Sequence, residues 1–266
     1  MTPSLLTKEL IDDTSAWRLI VRIADDSMSA LLLGPDGPER GALFHTERLE
    51  GPSVKALENA VYDNPLLLGD FEAVDVIFST SQCFASPLAA SPLREEMAEA
   101  MLPDYDAPRT LLAEPFGPDG ELVYAVGSEM YNFVARTFAC ARFHHSLAID
   151  AAWLGAHAEP SGLYALCDSA CEMNLVGFGP DRRLVYLNRP PTFAPADCAY
   201  YILAAAAPGA ELTIGCRTGA VEQIEETLCA VRPDARIMPL TLPDAMLRLG
   251  RQALQAPFDM LFLTQL

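Results

Sequence analysis

The chain has 266 residues, 51% of them apolar and 20% charged, a composition that excludes intrinsic disorder and suits one large core or two lobes. Its formal net charge of −18 would repel phosphate backbones and anionic membranes, so nucleic acid is not an expected partner. No apolar run reaches the roughly 18 residues needed to span a bilayer, so no membrane insertion is expected. The seven cysteines are an odd number, none forms a C-x-x-C pair, and most sit in apolar runs where a free thiol packs as a small hydrophobe. The first nine residues, Met1–Glu9, lack a basic segment followed by an apolar one. Both features point to a reducing, cytoplasmic setting.

In chain order, residues 1–16 read as a lead-in. Strands are predicted at Trp17–Ala24, Met28–Gly34 and Ala42–His45, with a turn at Pro35-Asp36-Gly37-Pro38. Ser53 reads as an N-cap, followed by Val54, Leu57, Ala60 and Val61 at helical spacing. Ala73–Thr80 reads as a buried parallel strand. Cys83–Ala90 carries Pro87 and is expected at a sheet edge, and Ser91-Pro92 is expected to open a helix to about Met101. Thr110–Pro115 and Glu121–Val126 form a predicted hairpin around Gly117-Pro118-Asp119-Gly120. A helix over Ser128–Phe138, a strand at Ala141–Phe143 and a helix over Leu147–His157 follow.

Residues 158–162 read as a hinge. Beyond it come strands Leu163–Cys167, Glu172–Phe178 and Leu184–Leu187, then an Ala-rich helix over Pro195–Ala207 stopped by Pro208-Gly209. Strand Glu211–Cys216, helix Gly219–Val231 and strand Ile237–Leu240 complete the pattern. The tail from 242 carries one predicted helix and ends on Met260-Leu261-Phe262-Leu263, which is expected to pack on its own lobe.

The two halves read alike. Residues 17–80 and 162–217 each run strand, strand, strand, helix, strand. Each first strand ends on acid, at Asp25-Asp26 and at Asp168, and each half carries a Gly-Pro-Asp turn, Gly34-Pro35-Asp36 and Gly179-Pro180-Asp181. A duplicated unit of this kind resembles actin-like ATPases, whose nucleotide lies between the halves. More narrowly, the chain resembles the bacterial cell-division and pilus-assembly branch. Residues 81–126 look like the small subdomain which that branch inserts into its first lobe. Leu163 through Asn188-Arg189-Pro190 looks like its second phosphate hairpin and the strand after it, which ends in an arginine. The chain also looks similar to a bacterial family of unknown function predicted to be actin-like, through Asn64-Pro65-Leu66-Leu67-Leu68, Val74–Ser79 and Phe258-Asp259-Met260-Leu261. The resemblance implies an α/β fold of two RNase H-like lobes in actin-like arrangement. The first lobe would span 17–157, with the insertion at about 81–126, and the second 163–266.

In active members of that family each phosphate loop reads Asp-x-Gly, because a Cβ at the glycine would obstruct the backbone amides that close on phosphate. Here the loops read Asp25-Asp26-Ser27-Met28-Ser29 and Asp168-Ser169-Ala170-Cys171, so the acids persist and both glycines are replaced. The adenosine loop that the resemblance implies would fall at Ile214-Gly215-Cys216-Arg217-Thr218-Gly219, a partial match. One reading is that Asp25 and Asp168 only cap tight hairpins. On that reading the chain is a non-catalytic actin-like module, without cofactor, that binds a protein partner as the pilus-assembly relatives do. The alternative is a switch or weak ATPase that grips Mg-ATP through Asp25, Ser27, Asp168, Ser169 and Gly215. A more remote reading is a metal-dependent nuclease built on Asp25, Glu58 and Asp75, since one such lobe also resembles RNase H. Gly177-Phe178-Gly179 is not a dinucleotide fingerprint, and no phosphate-binding P-loop, H-E-x-x-H or G-x-S-x-G motif occurs. His144 and His145 near Cys140 point to opposite faces of a strand and do not chelate together. Arg182-Arg183 reads as a solvated pair on a turn.

Overall fold

The structure, a computed structural model, describes residues 6–7, 10–35, 42–51, 53–102, 108–116, 120–157, 159–169, 172–190, 194–206, 211–216, 221–233 and 236–266. The expected turn at Asp36–Pro38, the hairpin tip at Gly117–Asp119, the helix stop at Pro208-Gly209 and the loop at 217–219 lie outside those residues.

Strands β1 (Arg18–Ala24), β2 (Ser27–Leu33) and β3 (Ala42–Arg48) form an antiparallel meander. Helix α1 (Val54–Asp63) then returns the chain so that β4 (Ala73–Ser79) pairs parallel with β1. Ser53 caps α1 as expected, its side chain accepting from the Ala56 N–H at 3.1 Å, and Leu57, Ala60 and Val61 are buried. After an inserted unit, α3 (Ser128–Thr137) leads to β8 (Arg142–His145), parallel to β4, and α4 (Ser146–His157) follows. The sheet order is β3-β2-β1-β4-β8.

The second half repeats this plan. Strands β9 (Gly162–Ser169), β10 (Glu172–Phe178) and β11 (Leu184–Asn188) form the meander. Helix α5 (Pro195–Ala205) leads to β12 (Glu211–Cys216), and α6 (Val221–Val231) to β13 (Arg236–Pro239), both strands parallel to their neighbours. Its order, β11-β10-β9-β12-β13, matches the first sheet strand for strand.

The insertion holds β5 (Cys83–Pro87), α2 (Arg94–Met101), β6 (Arg109–Phe116) and β7 (Gly120–Gly127), with sheet order β5-β7-β6. Pro87 does sit on an edge strand. The helix expected from Ser91-Pro92 begins later, at Arg94, and Leu88–Leu93 winds as a 3-10 segment. Pro87 precedes that stretch and Pro92 lies within it, and neither has an N–H, so the α-helical ladder closes only beyond the second.

The tail gives a larger correction. It folds into α7 (Asp244–Leu247), a 3-10 turn at Ala253–Gln255, and α8 (Phe258–Leu263), every residue of which is buried. Helix α8 does not stay on its own half: it packs on α4, where Phe262 stacks on Trp153 with ring centroids 4.0 Å apart. The cause lies in α4, which buries every residue from Ser146 to Ala151 and then Trp153 and Leu154, and so needs cover from more than one sheet. One core cluster therefore joins Ile20, Leu31 and Ile77 of the first sheet to Leu166, Val176 and Phe178 of the second, through α4 and α8.

Candidate functional site

Strand alternation decides which side chains meet between the two sheets. On β1, Leu19, Val21 and Ile23 face α1 and α3, so Ile20 and Arg22 face the second sheet. On β4 the same rule turns Ile77 and Ser79 inward. On β9 and β10, Cys167, Met173 and Leu175 pack toward α5 and α6, which turns Asp168, Glu172 and Asn174 toward the first sheet. A register shift between Glu172 and Met173 helps re-aim Glu172. Ser146 and Asp150, one helical turn apart on α4, and Asp259 on α8 join them.

The result is a buried ionic network at the junction of the lobes. Arg22, 2% exposed, donates from Nε to Asp259 at 2.7 Å, from Nη2 to Glu172 Oε1 at 3.1 Å and Ser79 Oγ at 2.7 Å, and from Nη1 to Glu172 Oε2 at 3.3 Å. Asp168 lies 3.9 Å from the same guanidinium. Arg189, just past β11, donates to Glu172 at 3.0 Å, to Asn174 Oδ1 at 2.9 Å and to the Ser79 carbonyl at 3.4 Å. Asn174 in turn donates to Asp150 at 2.6 Å. Glu172 thus clamps one arginine from each half.

Charge sets the protonation states. Two guanidinium groups face four carboxyl groups: Asp150, Asp168, Glu172 and Asp259. Burial opposes the Arg22 charge, but Asp259, Glu172 and Asp168 outweigh it and hold its pKa well above the ordinary value. Burial also disfavours the Glu172 charge, yet Arg22 and Arg189 overcome it and lower its pKa. Asp150 and Asp168 go the other way. Burial and the Asp259 charge push Asp150 well up, and the same two causes push Asp168 up to about 7.

The expected nucleotide residues are placed as follows. Asp25 is exposed in the β1–β2 turn, its pKa raised by desolvation and by Glu172 and Asp26 against the pull of Arg189. It borders a cavity of about 880 Å³ that Ser53, Ser79, Thr80, Gln82, Arg109 and Ser128 also line. Ser27 opens β2 opposite Arg48. Asp168 is turned inward, and its Oδ1 accepts from the Phe258 N–H of α8 at 2.9 Å. Ser169 ends β9 opposite Glu172, while 170–171 lie outside the described residues. Gly215 has a packing role: a Cβ there would come within 2.8 Å of Leu240, 3.0 Å of Phe258 and 3.1 Å of Leu166.

Of the nuclease candidates, Asp75 pairs across the sheet with Ile20 and lies four residues, roughly 13 Å, along its strand from Ser79. It is held by Arg18 at 2.7 Å, Arg142 at 2.8 Å and His144 at 3.1 Å. Glu58 sits on α1 beside Lys55. The three acids do not converge, and among the described residues no group of three His, Cys, Asp or Glu side chains is placed to hold a metal ion. His144 and His145 diverge as expected. His144 bridges Asp75 and Glu114, which against burial raise its pKa to about 9. His145 is fully buried and neutral: Nδ1 accepts from Leu147 N–H at 3.1 Å, which leaves the proton on Nε2 for the Thr80 carbonyl at 3.0 Å.

Sequence reasoning missed Arg22, Ser79, Glu172 and Asp259 as one assembly. The signals were present as single charges inside apolar runs, at Ile20-Val21-Arg22-Ile23 and Phe258-Asp259-Met260-Leu261.

No protein-family model matches the sequence, and no curated protein matches it significantly. Solved structures do match the fold. A Bacteroides thetaiotaomicron protein described as having an actin-like ATPase fold and unknown function superposes with a TM-score of 0.74 at 12% identity, covering 93% of this chain and 96% of its own. The PilM–PilN type IV pilus biogenesis complex gives 0.50 at 11% identity, over 92% and 93% of the two chains. The cytoplasmic domain of EpsL, an inner-membrane component of the type II secretion system of Vibrio cholerae, gives 0.47 at 15% identity, over 92% and 98%. The chain has the actin-like ATPase fold, as the duplicated strand pattern led one to expect.

Proposed function

We propose, from the premise of an actin-like ATPase fold, that this chain is a non-catalytic module that binds a protein partner. The observation that carries the reading is the Arg22–Glu172–Arg189 network capped by Asp259. It places protein side chains where the two acidic hairpins meet, and a nucleotide phosphate there would have to displace buried, hydrogen-bonded charges. Loss of the glycine from both loops points the same way. A structural neighbour is known in complex with a protein, PilM with PilN, which agrees with a binding role. Among the described residues no helix is long and apolar enough to cross a membrane.

A second reading, an ATP-binding switch, has one observation in its favour. Asp25 remains exposed on the rim of a cavity rich in hydroxyl groups, which Arg109 also lines. Thermal unfolding with and without millimolar Mg-ATP separates the two. Binding to the native state alone stabilises by about 2.7 kcal/mol at a hundredfold excess over Kd, enough to move the midpoint by a few degrees. The binding module shows no shift. A shift abolished by Asp25→Ala would establish the switch instead.

A further inference from the structure

A groove of about 630 Å³ runs between α4, the β5 end of the inserted sheet and the β10–β11 hairpin. That volume lies within the range of ligand-holding clefts, roughly 300–1,000 Å³. Its floor is small and apolar, with exposed Ala152 and Gly155 on α4, and its walls carry Phe116, Phe178 and Leu184. A Cβ at Gly155 would meet only Phe178 Cε1, at 3.9 Å, so the floor is open. The two strands beside it, β5 and β11, are terminal strands of their sheets, each hydrogen-bonded on one side among the described residues. They come together at the groove.

The charge at this groove runs against the rest of the molecule. The chain carries 36 acidic residues against 18 basic ones, yet among the described lining residues no carboxylate occurs and the charged members are Arg182 and Arg183. Both are exposed. Arg183 is engaged by Asp181 at 3.3 Å, but a pair this exposed contributes little and exchanges readily. Elsewhere the acidic surface would turn an acidic ligand away, while here two guanidinium groups meet it beside an apolar floor.

We propose that this groove docks an extended segment of a partner protein, apolar along its length and acidic where it meets Arg182 and Arg183. The segment would add to a free strand edge, set its apolar side chains over Ala152 and Gly155, and pair its carboxylates with the arginines. This deepens the protein-binding reading above and rests on it.

The test is selection of a displayed library of random peptides, about twelve residues long, on the purified protein, followed by fluorescence anisotropy of the selected sequences as synthetic peptides. The expected result is enrichment of apolar sequences with net negative charge. Their affinity should fall roughly tenfold or more in Ala152→Trp, which fills the floor from an exposed position, with the unfolding midpoint unchanged. Gly155→Leu serves if the tryptophan variant does not fold. Replacing Arg182 and Arg183 together by Glu should turn the preference toward lysine-bearing peptides. Enriched peptides that are basic, or that bind Ala152→Trp as well as the parent, would overturn the groove while leaving a protein-binding role elsewhere. Absence of any enriched peptide would overturn it too, and if joined by a Mg-ATP thermal shift would remove both readings.

Discussion

At the scale of single residues, Arg22 is the most constrained side chain at the junction. Its guanidinium is buried, and removing it leaves Asp259 without a countercharge and Glu172 with Arg189 alone. Breaking a buried pair from one side costs about 3–5 kcal/mol, so Arg22→Leu should lower the urea midpoint by that equivalent. Asp150→Asn should cost far less, because Asp150 Oδ1 has no hydrogen-bond partner among the described residues and burial with the Asp259 charge already disfavours its ionised form. Stability should also depend on pH in two separable windows. Asp168 holds a proton in the native state up to about pH 7, whereas an unfolded aspartate releases it near 3.9. Between those values the native state binds more protons, so stability falls as pH rises and levels off above the upper one. His144, raised to about 9, contributes stability that is complete below its unfolded pKa near 6.5 and is lost as pH rises through 9. Urea titrations from pH 4 to 10 should show Asp168→Asn flattening the lower decline and His144→Gln the upper one. The contribution of Asp75, whose pKa is lowered to about 2 by His144, Arg18 and Arg142 against the effect of burial, is complete above its unfolded pKa near 3.9 and is lost as pH falls from there through about 2.

At the scale of elements, α8 is the feature that local pattern could not place. Its apolar run announced burial, but nothing in Phe258–Leu263 says which surface does the burying. Strand alternation and N-caps are local, and those parts of the fold were legible: Ser53 at the head of α1, the exact extent of β10 and β12, Pro87 on an edge. The acids Asp25 and Asp168 were legible as strand-end residues too. Their different fates, one exposed and one sealed under α8, depend on contacts 90 residues apart in sequence, such as Asp168 with the Phe258 amide. Phe262→Ala should remove the stack on Trp153 and leave a cavity between the halves, costing about 3–5 kcal/mol. A denaturant melt would report that cost. A loss under 1 kcal/mol would mean that α8 is a loose flap rather than part of the core.

At the scale of the molecule, the two sheets do not have independent interiors. Residues from both, with α4 and α8 between them, form one cluster. Calorimetry should therefore give one transition with equal calorimetric and van't Hoff enthalpies, and two resolved transitions would refute this shared core. The same closure has a consequence for the chain as it leaves the ribosome. Arg22 must wait for Glu172, 150 residues later, for its first carboxylate partner and for Asp259, 237 residues later, before its charge is fully compensated. At about 5–20 residues per second that wait lasts roughly 10–50 s. Through it the nascent first half carries a cation short of at least one partner and an apolar face with no lid. Cells making this protein would have to shelter that half during translation, and its yield should be sensitive to the supply of chaperones that hold incomplete chains.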